Sequence, residues 1–232
     1  MKQISSKVYQ ISLGAVNAFI INNDSDLTLV DTGMPGSADK IFAAIKKAGK
    51  HPEDIKRIIL THAHTDHAGS AAEIKRRLNV PILAHAIDAE LIEQGISGRQ
   101  PMHLTPGIIN WLVYNLFIKK ASHTIEPVLV DEKLADNDII PIAGGVQVIH
   151  TPGHSAGHIA LLVKNEGLLI AADICANAAG LALSTVYEDV DLGVKSIRKA
   201  ASFDFDNAVF GHGGAIKQDA GKKMREKFTG II

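Results

Sequence analysis

Residues 61 to 67 read Thr-His-Ala-His-Thr-Asp-His, with the apolar run Ile55 to Leu60 directly before them and an Ala-rich helical pattern directly after. A strand that ends in His62 and His64, two positions apart, projects both imidazoles to the same side of an extended chain. Asp66 and His67 then open the next helix. Uncharged histidines and an aspartate at a strand end add nothing to a hydrophobic core, so four good ligands in six residues have little structural reason to sit together. A metal ion supplies the reason.

The chain offers three more candidate ligands, each where an apolar strand runs into a Gly- or Ala-rich turn. They are His154 in Thr151-Pro152-Gly153-His154, Asp173 at the end of Leu168-Leu169-Ile170-Ala171-Ala172-Asp173, and His212 in Ala208-Val209-Phe210-Gly211-His212-Gly213. A zinc ion in a catalytic site takes about three protein ligands and keeps a position for water, so seven ligands with one shared suit two ions.

His-x-His-x-Asp-His, then Thr-Pro-Gly-His, then Asp, then Gly-His, in this order, resembles the metallo-β-lactamase superfamily. Leu29-Val30-Asp31-Thr32-Gly33 matches that pattern too, and the resemblance extends from Asp31 to His212. It implies an α/β fold, a four-layer αββα sandwich of two mixed β-sheets flanked by helices. It also implies a division of ligands: His62, His64 and His154 on a first metal, Asp66, His67 and His212 on a second, and Asp173 bridging them. Asp31 resembles the superfamily's aspartate that holds the ligand loop from behind, as a buried carboxylate with partners would.

The implied cofactors are two zinc ions, with iron or manganese as possible substitutes. Two cations roughly 3.5 to 4 Å apart stabilise both the attacking and the leaving oxygen and lower the pKa of a shared water toward about 7. Asp66 is then the catalytic residue, orienting the water and passing its proton to the leaving group. The resemblance thus implies a binuclear zinc hydrolase that uses a metal-bridged hydroxide on an ester, lactone, thioester or amide of a partly apolar small molecule. Some relatives with a similar ligand set instead bind one iron at the first site and oxidise sulfur substrates. A non-catalytic metal-binding module is the third alternative, but structural zinc sites have closed four-ligand shells and favour Cys, which these motifs lack.

The 232 residues, 46% of them apolar, can bury a large core, and a single domain over 1–232 is expected. A net charge of −1 from interspersed charges argues against a nucleic-acid partner. One cysteine, Cys175, excludes an internal disulfide, fits a reducing compartment, and reads as a small buried residue. The N-terminus makes a poor signal peptide, and no apolar run reaches the length of about 18 residues that a membrane span needs. Together these predict a cytoplasmic enzyme with a small-molecule substrate and no stable membrane insertion.

Val8 to Leu13, Ala18 to Ile21 and Asp26 to Val30 predict a strand meander, and Ile55–Leu60, Pro81–Ala84, Val128–Val130, Gln147–Ile149, Ile159–Val163 and Leu168–Ala171 further strands. Helices are expected at Ser37–Lys50, 67–78, Ile87–Glu93, Val190–Ala201 and Ala215–Phe228. A segment at about 96–126 stands apart from the alternation. It is rich in Gly and Pro, then apolar nearly all round from Ile108 to Ile118, without the polar face of an ordinary surface helix. In related hydrolases an insertion here shapes the substrate pocket, so a cap over the metal cleft is expected, with a homodimer contact as the alternative.

His150 and His158 flank His154 at four residues on either side, but Pro152 and Gly153 forbid the helix that would align them, so both read as structural. Thr61 and Thr151 are expected to bond the ligand loops. Hydroxyacyl-glutathione hydrolases of the superfamily hold glutathione with a Lys and a Tyr shortly after the bridging Asp; here no basic residue follows Asp173 before Lys195. Quorum-quenching lactonases carry a Tyr a few residues past that Asp, where this chain has Cys175 and Asn177 and its next tyrosine is Tyr187.

Overall fold

The structure is a computed structural model that describes residues 1–230. It opens with strands β1 (Lys2–Gln3), β2 (Val8–Ser12), β3 (Asn17–Asn22) and β4 (Leu27–Val30), an antiparallel meander. Helix α1 (Ala38–Lys47), strand β5 (Ile55–Leu60), helices α2 (Thr65–Ala68) and α3 (Ala71–Leu78), strand β6 (Ile82–His85) and helix α4 (Ala86–Gln94) follow. Strand β7 (His103–Leu104) and helix α5 (Ile108–Val113) lie in the atypical segment, where α5 runs on into a π-helical turn over Tyr114–Ile118. Strands β8 (Glu132–Leu134), β9 (Ile139–Ile140), β10 (Val146–His150), β11 (Ile159–Val163), β12 (Leu168–Ala172) and β13 (Val186–Tyr187) come next. Helix α6 (Val190–Ala201), strand β14 (Asn207–Phe210) and helix α7 (Ala220–Phe228) close the chain.

Among the described residues, one sheet runs β1-β2-β3-β4-β5-β6-β8 and another β14-β12-β11-β10-β9, with a two-stranded ribbon of β7 and β13 beside them. Both large sheets are mixed. β4, β5, β6 and β8 are parallel neighbours in the first, and β12 and β14 in the second, while the other pairs are antiparallel.

The layering follows from strand periodicity, because successive side chains leave a strand on opposite faces. In β3, Phe19 and Ile21 join the core between the sheets with Val8, Val30 and Ile59, while Ala18 and Ile20 face the helices. In β11, Ile159, Leu161 and Val163 point into that same central core, and Ala160 and Leu162 point outward to α6 and α7. Ile41, Phe42 and Ile45 of α1 cover the outer face of the first sheet, and Ile197, Ala200, Met224 and Phe228 cover that of the second. The result is the expected four layers. No helix among the described residues is long and apolar enough to cross a membrane.

Local differences have physical causes. The helix expected at 67–78 breaks at Gly69 and Ser70, where a Cβ on Gly69 would strike Pro35 and Ser70 Oγ donates to Met34 O and accepts from Ser37 N. Val128–Val130 is no strand: Val128 N bonds Ile92 O and Val130 N bonds Glu93, so the run lies along α4, and the sheet is extended later by β8. The last helix starts at Ala220 instead of Ala215, because Ile216 makes a reciprocal 2.9 Å backbone pair with Ala208.

Candidate metal centre

Parallel strands deliver side chains at their C-terminal ends, and here several of them deliver to one edge of the sandwich. His62 and His64 follow β5, Asp66 and His67 occupy the single turn of α2, Asp173 follows β12 and His212 follows β14. His154 lies in the turn between β10 and β11. All seven sequence-predicted residues come together. Ligand atoms within 4.8 Å of one another form three groups: His62, His64 and His154; His62, His67 and Asp173; and Asp66, His67 and His212.

Asp173 sits between the histidines of both sides. Its Oδ2 lies 3.6 Å from His154 Nε2 and 3.1 Å from His212 Nε2, and its Oδ1 lies 3.5 Å from His67 Nε2. Asp66 Oδ2 is 3.2 Å from His212 Nε2 and 3.8 Å from His67 Nε2. The centre faces solvent through the partly exposed His64, Asp66 and His212.

Each ring is aimed by what its other nitrogen touches, the usual way a ligand's orientation is fixed. His67 Nδ1 is 2.8 Å from Asp31 Oδ2, His154 Nδ1 2.8 Å from Val186 O, and His212 Nδ1 2.8 Å from Ala15 O. Those contacts turn the three Nε2 atoms inward. His64 is reversed: its Nδ1 lies 3.0 Å from His154 Nε2, and its far edge is covered by Gly98, where a Cβ would come within 2.7 Å of the ring. Asp31 also accepts from Thr61 N at 2.8 Å and from Thr61 Oγ1, so it grips the chain on both sides of the ligand loop.

His62 Nε2, His67 Nε2 and Asp173 Oδ1 are buried without a hydrogen-bond partner. Each such atom costs about 1 to 3 kcal/mol if left unmet, and three of them around one point ask for a cation. Imidazole and carboxylate donors without thiolate suit zinc, iron or manganese. Glycine makes the approach possible: a Cβ on Gly211 would run into the Asp173 carboxylate and the His67 ring.

The charges separate the rings into two kinds. Burial drives His62 and His154 well below the usual imidazole range. Burial opposes protonation of His67 as well, but the charges of Asp173, Asp66 and Asp31 outweigh it and hold this ring well above that range. Asp173 chiefly pushes His212 up to about 12. Burial alone would raise Asp66 and Asp173, yet the neighbouring histidines hold both carboxyls low, so both are ionised at neutral pH.

His158 bonds Thr151 Oγ1 through Nδ1 and accepts from Asp173 N through Nε2, so it fixes the backbone from which the Asp173 carboxylate projects. His150 stacks on His85 with centroids 4.0 Å apart and bonds Ala156 O. Cys175 is fully buried, and burial pushes its thiol up. Tyr187 is also buried, its hydroxyl accepting from Ser184 N and donating to Ile174 O, so it presents no free hydroxyl to the centre.

Sequence reasoning missed Asp88, Arg99 and Glu188. Asp88 is fully buried in the first turn of α4 and accepts from Ala63 N, Ser155 Oγ, Gly157 N and Arg99 Nη1. A sign of it was in the sequence: Asp88 shares a helical stripe with the apolar Leu91 and Ile92, where a carboxylate needs partners.

The segment between α4 and β8 leaves and returns at the centre. Ile96 bridges Thr124, Ser97 N bonds His123 O, and Thr65 Oγ1 bonds both Ser97 Oγ and Ser122 O. β7 pairs with β13, and Thr105 bonds Ser184 O. Beyond these ties Ile108, Ile109, Trp111, Leu116 and Phe117 are exposed.

A family model described as the metallo-beta-lactamase superfamily matches residues 11–212. The probable metallo-hydrolase YflN of Bacillus subtilis (strain 168) is 26% identical over 96% of this chain and 88% of its own length. An N-acyl homoserine lactonase of a Bacillus species is 29% identical over 64% of this chain and 58% of that protein. In fold, a beta-lactamase from Chitinophaga pinensis superposes with a TM-score of 0.71 at 23% identity, covering 99% of this chain and 91% of that one.

Proposed function

The chain belongs to the metallo-β-lactamase superfamily and is a metallo-hydrolase, and from that footing we propose a two-zinc enzyme that cleaves an ester, lactone, thioester or amide of a partly apolar small molecule. One observation carries this reading: two triads of ligand atoms flank a single buried carboxylate, Asp173, with three inward-facing polar atoms that have no hydrogen-bond partner among the described residues. In the proposed assignment His62, His64 and His154 hold one ion, Asp66, His67 and His212 the other, and Asp173 is shared.

When bound, two such ions supply Lewis acidity at the scissile carbonyl and bring the pKa of a water toward about 7. The residues of the chain do the rest. Asp66, ionised and with its side chain 32% exposed, accepts the proton of the attacking water and returns it to the leaving group. Asp31 keeps His67 in one tautomer, and His158 holds Asp173 in place. The apolar side chains beyond Gly98 form one wall of the substrate cleft and meet the substrate's apolar part. The relative named as an N-acyl homoserine lactonase supports including lactones and carboxylic esters among the candidate substrates. The single cysteine supports a cytoplasmic setting.

Metal analysis of freshly purified protein, followed by zinc-loaded assays on lactones, thioesters, aryl esters and β-lactams, tests the proposal. About two zinc ions per chain with turnover of at least one acyl class is the expected result. One iron per chain, with oxidation of a sulfur substrate and no hydrolysis, overturns it.

A further inference from the structure

We infer that Asp88 is the positioning residue of the first ion, the counterpart of Asp31 at the second, and that Arg99 is its charge partner; the inference rests on the two-ion reading above. Asp31 holds the chain at Thr61 and the ring of His67. Asp88 does the same for the other triad, with backbone in place of a ring. Its Oδ2 accepts from Ala63 N at 3.0 Å, and Ala63 lies between His62 and His64. The same oxygen accepts from Ser155 Oγ at 2.7 Å, and Oδ1 accepts from Gly157 N at 2.8 Å, just past His154. One carboxylate on α4 therefore ties together the two loops that carry His62, His64 and His154.

The packing requires this contact. A Cβ on Gly157 would come within 2.5 Å of Asp88 N and Oδ1, so the loop reaches the carboxylate only with glycine there. Arg99 Nη1 completes the shell at 3.2 Å while Nη2 bonds Ile87 O at 2.9 Å. Glu188 accepts from Arg99 N and from Ala156 N, which fastens the guanidinium's own backbone to the loop after His154. A buried carboxylate needs such a set of donors, and groups that orient ligands from behind typically change metal affinity by about 10- to 100-fold when removed.

The test separates the ions. His212→Ala removes a ligand of the second ion, and His154→Ala a ligand of the first. Metal-free protein of each background is titrated with zinc against a chelator, with and without Asp88→Asn. The expected outcome is a loss of about 10- to 100-fold in the His212→Ala background and a change within about twofold in the His154→Ala background. Equal loss in both backgrounds, or a lowered melting temperature with neither affinity altered, shows a packing role and overturns the inference. If Asp88→Asn does not fold, Arg99→Gln, at a side chain 34% exposed, takes its place. There a loss of about threefold to tenfold confined to the first ion supports the inference, and an unselective loss overturns it. Wild-type protein that binds no zinc overturns the two-ion reading together with the inference, whereas two bound ions and an unselective Asp88→Asn overturn the inference alone.

Discussion

Asp66 is the one carboxylate of the centre that is substantially exposed, and its partner His212 shares that open side. Replacing it by Asn keeps the shape and removes the group proposed to take and return a proton. We expect Asp66→Asn to leave the far-UV circular dichroism unchanged and to lower kcat on any hydrolysed substrate by about 100-fold or more; an unaltered kcat would place the proton elsewhere. The two raised histidines make a second prediction. His67 and His212 carry protons at neutral pH in metal-free protein, and a cation must displace them. Zinc uptake at pH 7 is therefore expected to release protons, and because protons compete more strongly as pH falls, affinity should drop by about tenfold per pH unit for each one released. Calorimetry in buffers of different ionisation enthalpy reads both quantities. The candidate ligand residues were legible in sequence because imidazoles and carboxylates clustered at strand ends have little structural reason to be there and because their order resembles the superfamily's pattern. The partners of the ligands were less so: Asp31 could be read from its strand-end motif, while Asp88, Arg99 and Glu188 acquire meaning only through contacts with residues far away in sequence.

Ser70 shows how an element boundary is set by tertiary contacts. Its neighbours would support one continuous helix, yet its hydroxyl bonds Met34 O and Ser37 N, and the chain breaks there. Ser70→Ala should destabilise the fold by about 1 kcal/mol, measured by urea unfolding, because the buried bonds of its hydroxyl to Ser37 N and Met34 O are lost while those two groups keep their own 3.1 Å bond. The apolar segment from Ile108 to Ile118 is the opposite case. Its composition alone suggests burial, but the structure leaves Trp111 52% and Phe117 69% exposed. If these side chains wall the cleft, Trp111→Ala with Phe117→Ala should raise KM for long-chain acyl substrates by about tenfold. The same change should spare the metal content and the kcat for the shortest acyl group. A fall in metal content would assign the segment to packing. The strong strands were readable as short, nearly continuous apolar runs bounded by turn residues. β7, β8 and β13 were not, since two or three residues carry no period and their pairing is decided by partners elsewhere.

At the scale of the molecule, the centre joins the two halves of the sandwich: His62, Asp66 and His67 come from the first sheet's side, and Asp173 and His212 from the second's. Ions bound there stabilise only the folded chain. At about a thousandfold excess over Kd this amounts to about 4 kcal/mol per ion, so chelation of both should lower the melting temperature by roughly 16 to 32 °C, about half of that for each ion, measured by calorimetry with and without chelator. An unchanged melting temperature would deny the centre any load across the sheets. The sequence by itself determined which atoms can bind metal and which strand faces are apolar, because donor chemistry and side-chain periodicity are local properties. Only the tertiary structure decided that ligands from four separate strand ends meet around Asp173, that a glycine must stand beside His64 and another beside Asp173, and that Asp88 grips both loops of the first triad. Those facts depend on distances between segments tens of residues apart, which the packing of two sheets sets and no local pattern encodes.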